Sequence, residues 1–256
     1  MIGTGVSSMR QPPRSAVFTT LQYSIKRGLF QFKAHSTRLQ EHAKNLRIEL
    51  PSDWEKSVLN QIVGMKSQFQ DGLLRIEYTS EGIWNISNRT FSIRNESCDA
   101  ITVAAKMWPK RVAGTKHGAW DVYHEARQQA EQSGADIALF VHEYAIIDGD
   151  RGSPILLDED GVVWYSASQQ AVDGITLHSI LPELKSSGFP IQKGNLNERM
   201  VARCIECVVL GSGLGASTIE SIDGEEIGEG TTRLTDLCRD ILLRQEDEDS
   251  SWTEVE

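Results

Sequence analysis

Lys116 is the residue whose type and position best suit covalent chemistry. It lies in residues 113–120, a segment that contains Gly114 and Gly118 and sits between a Pro-Lys-Arg stretch and a predicted helix. A lysine amine is protonated in water, with a pKa near 10.4, but desolvation frees it to attack a carbonyl carbon. Most lysines are solvated surface charges, so that interpretation of Lys116 stays open at this point.

Three further groups follow Lys116 at positions that suit a charged ring and a phosphate. The first turn of a helix presents N–H donors and the positive end of the helix dipole to an anion. A glycine turn lets N–H groups converge in the same way, and a serine adds a hydroxyl. The groups are a carboxylate at Asp148 before Gly149, a helix start at Gly174, Ile175 and Thr176, and a turn at Gly211 and Ser212. A lysine amine followed by these three groups is the pattern expected of an enzyme that forms a Schiff base.

The same groups have plainer interpretations. Arg38 offers a planar fork of donors suited to a phosphate, but a helix-surface salt bridge is the commoner role of an arginine. The start at Gly174 is also compatible with an ordinary helix cap. Residues 211–216 match the Gly-x-Gly-x-x-Ala pattern of dinucleotide-binding folds. Residues 217–224 predict a strand and a turn instead of the helix which that fold needs, so we expect no dinucleotide site.

The composition is that of an ordinary globular chain with room for two modest domains. The chain has 256 residues, of which 39% are hydrophobic and 24% charged, and its net charge is -10. Residues 244–256 hold six acids against one arginine, which predicts a solubilising acidic tail. We expect no nucleic-acid partner, because the sequence shows no basic face. We expect no membrane partner either, because no apolar run approaches the roughly 18 residues of a membrane span.

The cysteines and the first residues indicate a cytoplasmic protein. Residues 1–14 lack the apolar centre of a signal peptide. The four cysteines are typical of a reduced set. Cys204 and Cys207 have metal-like spacing, but no second cysteine or histidine pair completes a tetrahedral site, so we expect no metal.

Hydrophobic periodicity predicts a mixed α/β chain in two parts. Residues 17–23 and 29–33 predict a hairpin, and residues 73–78, 82–86, 91–94 and 100–106 predict further strands. Helices are predicted at 35–47, 52–65, 120–133, 176–185, 197–202 and 231–244, the second opening on a capping box at Ser52. The division that follows is a flexible N-terminus (1–14), an N-terminal α/β domain (15–108), a linker (109–115), a C-terminal α/β domain (116–244) and the acidic tail (245–256).

Taken in order, these motifs resemble one enzyme family. The motifs are Phe18-Thr-Thr20, His35-x-x-Arg38, Lys116-His117, Asp148-Gly149, Gly174-Ile-Thr176, Gly211-Ser-Gly213 and Asp223-Gly224. The series resembles the class IV pyridoxal-phosphate enzymes, which include branched-chain and D-amino acid aminotransferases and 4-amino-4-deoxychorismate lyase. The resemblance covers roughly residues 16 to 243. It implies a two-domain fold of the α+β type with largely antiparallel sheets, a cofactor site between the domains, and a homodimer.

The family's roles carry over to matching positions. The resemblance implies that Lys116 forms an imine with pyridoxal 5'-phosphate and then moves a proton between substrate and cofactor. Asp148 would pair with the pyridine nitrogen, where the family usually has a glutamate. The phosphate would lie against Arg38, the N–H groups of the Gly174, Ile175 and Thr176 segment, and the turn at Gly211 and Ser212. Thr20 is the candidate for a hydroxyl on the substrate side.

The reaction stays divided between two enzymes and a third possibility. Thr20 and the Lys116-His117 pair favour the lyase, in which 4-amino-4-deoxychorismate loses pyruvate and leaves 4-aminobenzoate. An amino acid aminotransferase of branched-chain or D-amino acid type needs the same lysine and cofactor, so Lys116 does not separate the two. A non-catalytic member that binds the cofactor is the third interpretation, and the aspartate at position 148 is its best support.

Overall fold

Two β-sheets organise the protein. The computed structural model describes residues 11–93 and 96–255. In these ranges fifteen strands and six α-helices are present, with five strands in the smaller sheet and ten in the larger. Among the helices of this part of the chain, none has the length and apolar character needed to span a bilayer.

The smaller sheet is antiparallel throughout, in the order β15-β2-β1-β3-β4. Its side chains alternate between two environments, as the period of two in a strand requires. Val17, Leu21 and Leu74 pack into the core beneath two helices, whereas Thr20 and Arg75 project from the opposite face. The elements are β1 (Ala16–Ser24), β2 (Gly28–Phe30), β3 (Gly72–Thr79), β4 (Trp84–Arg89), β15 (Trp252–Thr253), α1 (Phe32–Leu46) and α2 (Trp54–Met65).

The larger sheet is mixed, with mostly antiparallel pairs. Its order is β10-β9-β8-β12-β13-β5-β6-β7-β11, and β14 pairs with β13. Only the pairs β5–β6, β5–β13 and β9–β10 are parallel among the strands of the described ranges. The strands are β5 (Cys98–Ala104), β6 (Ile137–His142), β7 (Ala145–Gly149), β8 (Ser153–Leu157), β9 (Val163–Ser166), β10 (Ile191–Gly194), β11 (Leu196–Asn197), β12 (Glu206–Gly211), β13 (Gly215–Ile222) and β14 (Glu225–Glu226).

Four helices accompany the larger sheet: α3 (Asp121–Gln132), α4 (Ile175–Ser186), α5 (Glu198–Ala202) and α6 (Arg233–Asp247). One apolar core joins α4 and α6 to the sheet through Ile180 and Ile241, both fully buried. A second core joins α3 to β6 through Ala130 and Phe140. These cores fix the N-terminus of α4 and one face of α3 beside the gap between the sheets.

The mixed α/β architecture agrees with the prediction, but several local features differ. The predicted strand at 29–33 ends at Phe30, because Gln31 adopts a left-handed conformation (φ 51°) and α1 begins at once. No strand forms at 91–93, and Arg94 lies outside the described residues. The helix after Ser52 begins at Trp54 without a side-chain cap, so the capping box is wrong. The strand β5 belongs to the larger sheet, so the change of sheet precedes Cys98 instead of following residue 108.

The acidic tail is part of the fold, which differs from the predicted solubilising role. The strand β15 pairs with β2, and Val255 is buried in the core of the smaller sheet. Lys66 Nζ donates a 2.9 Å hydrogen bond to the carbonyl of Val255. The Trp252 ring lies 5.1 Å from the Phe30 ring, and the Arg27 guanidinium lies 4.9 Å from the Trp252 ring. The composition of this segment did not predict the packing, because its few apolar residues lie among many acidic ones.

Candidate active site

A cavity of about 510 Å³ lies between the two sheets. Strands β1, β3 and β4 form one wall, and the end of β7, the start of α4 and the β12–β13 turn form another. The cavity lining includes all nine residues predicted for the site, namely Thr20, Arg38, Lys116, Asp148, Gly174, Ile175, Thr176, Gly211 and Ser212. The structure therefore brings together residues that are far apart in the sequence.

Lys116 is held through its backbone while its amine faces aromatic rings. The Phe18 N–H donates to the Lys116 carbonyl at 3.2 Å, and the Lys116 N–H donates to His42 Nδ1 at 3.1 Å. The Lys116 Nζ lies 4.6 Å from the centroid of the Trp120 ring and 5.3 Å from that of Phe18. Burial lowers the pKa of Lys116 to about 7, helped by the Arg38 charge and opposed by the Asp148 carboxylate. Much of the amine is therefore neutral and nucleophilic near pH 7.

Asp148 is a buried carboxyl group at the end of β7. Its Oδ1 accepts from the Gly149 N–H at 2.9 Å, and its Oδ2 accepts from the Val172 N–H at 2.8 Å. Burial raises the pKa of Asp148 to about 7, although both N–H donors and the Lys116 charge favour its ionised form. A cation placed beside this group would stabilise its carboxylate, so the site is suited to a charged nitrogen.

The start of α4 and the β12–β13 turn form a cradle for an anion. Thr176 Oγ1 and Ser212 Oγ lie 3.4 Å apart, so the two hydroxyls meet at one end of the cavity. Helix α4 has twelve residues, and the N–H groups of its first turn are available to an anion. A Cβ at Gly174 would lie 2.6 Å from Ser153 Oγ, and one at Gly211 would lie 2.6 Å from the Arg151 carbonyl. Glycine at position 211 therefore allows two backbone segments to approach each other, and glycine at position 174 leaves room for the Ser153 hydroxyl.

Arg38 reaches the cradle from α1 and is nearly buried. Its Nη1 donates to the Asp173 carbonyl at 2.8 Å and its Nη2 to Thr19 Oγ1 at 3.2 Å, while its buried Nε has no partner among the described residues. Thr19 Oγ1 also lies 2.8 Å from His35 Nδ1. Burial lowers the pKa of His35 well below its usual value, so the ring is neutral and can accept from the hydroxyl. This chain of contacts positions the guanidinium.

His117 and Asp223, which belong to motifs that carried the resemblance, lie outside the cavity lining. His117 does not line the cavity; it is buried against the Trp108 ring, with a centroid distance of 4.5 Å. The Asp223 carboxylate accepts from the Thr102 N–H at 2.8 Å and from Thr102 Oγ1 at 2.6 Å. Asp223 thus fixes β5 against the turn after β13. Both residues therefore pack beside the site without lining its cavity.

Four arginines in the cavity wall were missed by the sequence reasoning. We call them the arginine arc: Arg75 on β3, Arg89 on β4, Arg127 on α3 and Arg151 after β7. Arg75 lies between the buried residues Leu74 and Ile76 on β3. Because side chains alternate between the two faces of a strand, this position indicates that the Arg75 side chain faces away from the core. Nothing local to the other three predicts where they converge.

The residues of the cavity fit a phosphorylated pyridine aldehyde. A phosphate suits the cradle, where the Nε of Arg38 lacks a partner among the described residues. The buried carboxyl of Asp148 suits a protonated ring nitrogen, and the neutral amine of Lys116 suits an aldehyde carbon. The volume of about 510 Å³ is within the range of small-molecule sites.

The comparisons with known proteins agree with this chemistry. Residues 16–222 match the family described as amino-transferase class IV. The branched-chain-amino-acid aminotransferase of Pseudomonas aeruginosa is 24% identical over 261 aligned residues, covering 88% of this chain and 82% of that protein.

Solved structures with the same fold include proteins named for two different reactions. A structure named "Putative 4-amino-4-deoxychorismate lyase" from Legionella pneumophila has a TM-score of 0.79 at 17% identity, covering 90% of this chain and 91% of that one. The T.th. branched-chain amino acid aminotransferase with pyridoxamine 5'-phosphate also has a TM-score of 0.79, at 19% identity, covering 94% and 90%. These likenesses confirm the predicted fold class.

Proposed function

The chain belongs to the class IV aminotransferase family, and we propose that it is an enzyme that acts on the amino group of a small substrate with pyridoxal 5'-phosphate held at Lys116. The observation that carries the proposal is the meeting of Lys116, Asp148 and the cradle in one cavity between the sheets. When bound, the cofactor supplies an aldehyde for amines and a ring that withdraws electrons.

The roles of the residues follow from their positions. Arg38, Thr176 and Ser212, with the first turn of α4, would hold the phosphate. Asp148 would accept from the protonated ring nitrogen and keep it charged. The Lys116 amine, with a pKa lowered to about 7, would act as the base that takes up and returns a proton.

We propose that Asp148 takes the place of the longer glutamate that is usual in the family. Aspartate is shorter by about one C–C bond, roughly 1.5 Å. In this chain the carboxyl is fixed by N–H donors from both its neighbour Gly149 and the facing residue Val172. A carboxyl group with both oxygens fixed has little conformational entropy left to lose when a ring nitrogen binds.

For the reaction itself, we propose 4-amino-4-deoxychorismate lyase activity first. Thr20 lines the cavity together with Lys116 and Phe18, so the Thr20 hydroxyl is available to a bound substrate. Amino acid transamination is the second candidate, supported by the curated relatives of branched-chain type. The non-catalytic alternative has less support, because Lys116, Arg38 and Asp148 all line the same cavity.

A substrate panel tests the proposal. The protein, loaded with pyridoxal 5'-phosphate, is given 4-amino-4-deoxychorismate while pyruvate is measured, and then amino donors with 2-oxoglutarate while amino-group transfer is measured. Pyruvate without transfer supports the lyase, and transfer without pyruvate supports the aminotransferase. Neither product, with the cofactor bound, favours the non-catalytic alternative. Light scattering on the same sample tests the homodimer that is also part of this proposal.

A further inference from the structure

We propose that Gln170 is a positioning residue that fixes the segment preceding α4, and through that segment the groups assigned to the cofactor. We call residues 168–174 the cofactor strap. The strap follows β9, ends where α4 begins, and contains neither helix nor strand. Because it has no regular ladder of backbone hydrogen bonds, individual contacts must fix its path. This inference rests on the proposed function, since the groups that the strap contacts are those assigned to the cofactor.

Backbone groups of the strap fix three parts of the proposed cofactor site. The Val172 N–H donates to Asp148 Oδ2 at 2.8 Å, so the strap holds the carboxyl assigned to the ring nitrogen. The neighbouring Asp173 carbonyl accepts from Arg38 Nη1 at 2.8 Å. Gly174 is the N-cap residue of α4, whose first turn is assigned to the phosphate. A displacement of the strap would therefore move the acid, the arginine and the helix start together.

The segment that leads to Lys116 packs against the same strap. Gly114 has a left-handed backbone (φ 68°), and a Cβ there would lie 2.9 Å from the Ala171 carbonyl oxygen and 3.0 Å from that of Gln169. The two segments are thus in backbone contact two residues before the lysine. The strap therefore touches the elements that carry all four proposed cofactor contacts: the amine, the acid, the arginine and the phosphate helix.

The Gln170 side chain anchors the middle of the strap to the segment between β5 and α3, which also carries Lys116. Gln170 Oε1 accepts from the Trp108 N–H at 2.9 Å, and its Nε2 donates to the Trp108 carbonyl at 3.0 Å. One carboxamide thus pairs with both backbone polar groups of a single residue, as a neighbouring strand would. Gln170 does not line the cavity between the sheets, so its influence on a bound cofactor must pass through the strap.

A second side-chain contact of the strap lies at the surface. Asp173 Oδ1 lies 2.5 Å from His178 Nε2, but the two side chains are 70% and 38% exposed. Exposed ion pairs contribute little to stability. Gln170, by contrast, is half-buried, and its partner Trp108 is buried. Loss of the carboxamide would deprive two buried backbone groups of this partner, which is costly. Gln170 is therefore the stronger of the two anchors.

Hydrogen exchange on the cofactor-free protein tests the anchor directly. We expect Gln170→Leu to raise the exchange rate of the Val172 amide by about tenfold or more, because the strap loses two hydrogen bonds that hold it closed. Gln245→Leu is the matched control. Gln245 Nε2 donates to the Ser179 carbonyl and to Glu183 Oε1, both at 3.0 Å, and Gln245 lies outside the cavity. The control should leave the exchange of the Val172 amide unchanged.

Cofactor affinity separates positioning from general stability. Equilibrium dialysis with pyridoxal 5'-phosphate should show that Gln170→Leu binds the cofactor about tenfold more weakly, because the groups assigned to it are no longer held together. The control Gln245→Leu also loses two carboxamide hydrogen bonds, yet it should keep the affinity of the unaltered protein. An equal loss of affinity in both variants would contradict a role specific to Gln170.

The variant Gln170→Glu provides a rescue that depends on pH. A protonated glutamate can donate to the Trp108 carbonyl and accept from the Trp108 N–H, as the glutamine does, whereas a carboxylate can only accept. The pKa of glutamate is about 4.3 in water, and the facing carbonyl oxygen would raise it. Protection of the Val172 amide should therefore increase from about pH 7 to about pH 5 in this variant, measured relative to the unaltered protein.

These measurements decide the proposal even where one variant is lost. If Gln170→Leu does not fold, the pH series of Gln170→Glu replaces it. Equal exchange of the Val172 amide in Gln170→Leu and the unaltered protein would overturn the proposal. So would a Gln170→Glu variant whose protection at this amide does not respond to pH.

The two proposals fail in different ways. Faster exchange in Gln170→Leu, in a protein that attaches no cofactor at Lys116, would support the anchor and contradict the proposed function. Attachment at Lys116, with equal exchange and equal cofactor affinity in Gln170→Leu and the unaltered protein, would leave the proposed function intact and contradict the anchor.

Discussion

Replacing Asp148 with asparagine removes the negative charge from the centre of the proposed site while nearly preserving its shape. The aspartate accepts two backbone hydrogen bonds, from Gly149 N–H at 2.9 Å and Val172 N–H at 2.8 Å. The asparagine carbonyl oxygen can accept one of them, and its NH2 group then faces the other donor. One buried N–H loses its partner, and the ring nitrogen loses its anion.

The stability cost of this change is moderate and the cost to catalysis is large. An unpaired buried donor costs about 1–3 kcal/mol, but the substitution also removes a carboxylate charge that burial disfavours, as its raised pKa shows, so part of this cost is offset in the cofactor-free protein. The net change is below the roughly 5–15 kcal/mol that typically separates folded from unfolded protein. Loss of a group that stabilises developing charge lowers turnover by about 10²–10³. The phosphate cradle and Lys116 are unchanged, so the variant should keep its cofactor. Asp148→Glu should be tolerated, because the glutamate keeps a carboxyl group at this position.

The assay measures turnover on the substrate that the panel identifies, and cofactor retention by absorbance after desalting. Asp158→Asn is the matched control. Asp158 Oδ1 accepts backbone N–H bonds from Asp160 at 3.0 Å and Val162 at 2.8 Å, Asp158 Oδ2 accepts from Trp164 Nε1 at 2.6 Å, and the residue lies outside the cavity. The control should lose stability, because the asparagine NH2 group then faces the Trp164 N–H donor, and it should keep its turnover. Full turnover in Asp148→Asn would refute the assignment of this residue to the ring nitrogen.

Three further predictions concern the cradle, the buried amine and the tail. Arg38→Gln should weaken cofactor affinity by about 10-fold to 100-fold, from the loss of a charged hydrogen bond, measured by equilibrium dialysis; unchanged affinity would contradict the cradle. The pKa of Lys116 is lower in the folded chain, at about 7, so the unfolded chain binds more protons above pH 7 and the stability of cofactor-free protein should rise towards about pH 10. Lys116→Met should lose this rise in urea unfolding, and an identical slope would contradict the shift. Deletion of residues 248–256 should cost about 3–6 kcal/mol, from the burial of Val255 and its bond to Lys66; an unchanged midpoint would show the tail to be dispensable.

The sequence identified the residues of the candidate site because each part of that site has a local physical basis. Glycines mark the turn at Gly211 and the helix start at Gly174, and apolar runs mark the strands that lead to the site. The order of these parts was enough to assign the family, which the family match confirms. In the structure Lys116, Asp148 and Arg38 lie in the lining of one cavity.

The parts that sequence could not supply depend on long-range pairing. The arginine arc draws on β3, β4, α3 and the segment after β7, and only the pairing of Leu73 with Arg89 and the packing of α3 bring it together. Strand β5 joins the larger sheet through parallel pairs with β6 and β13, which no local pattern specifies. In the tail, acidic residues concealed Trp252 and Val255, whose packing partners lie far away in the sequence.

The central claim is that Lys116 is the residue that holds the cofactor. The direct measurement is to load the protein with pyridoxal 5'-phosphate, reduce it with borohydride, and locate the added mass by peptide mapping. We predict an absorbance band near the edge of the visible range before reduction and a modified peptide containing Lys116 afterwards, both absent in Lys116→Met. A cofactor fixed on another lysine, or no fixed cofactor at all, would contradict the account.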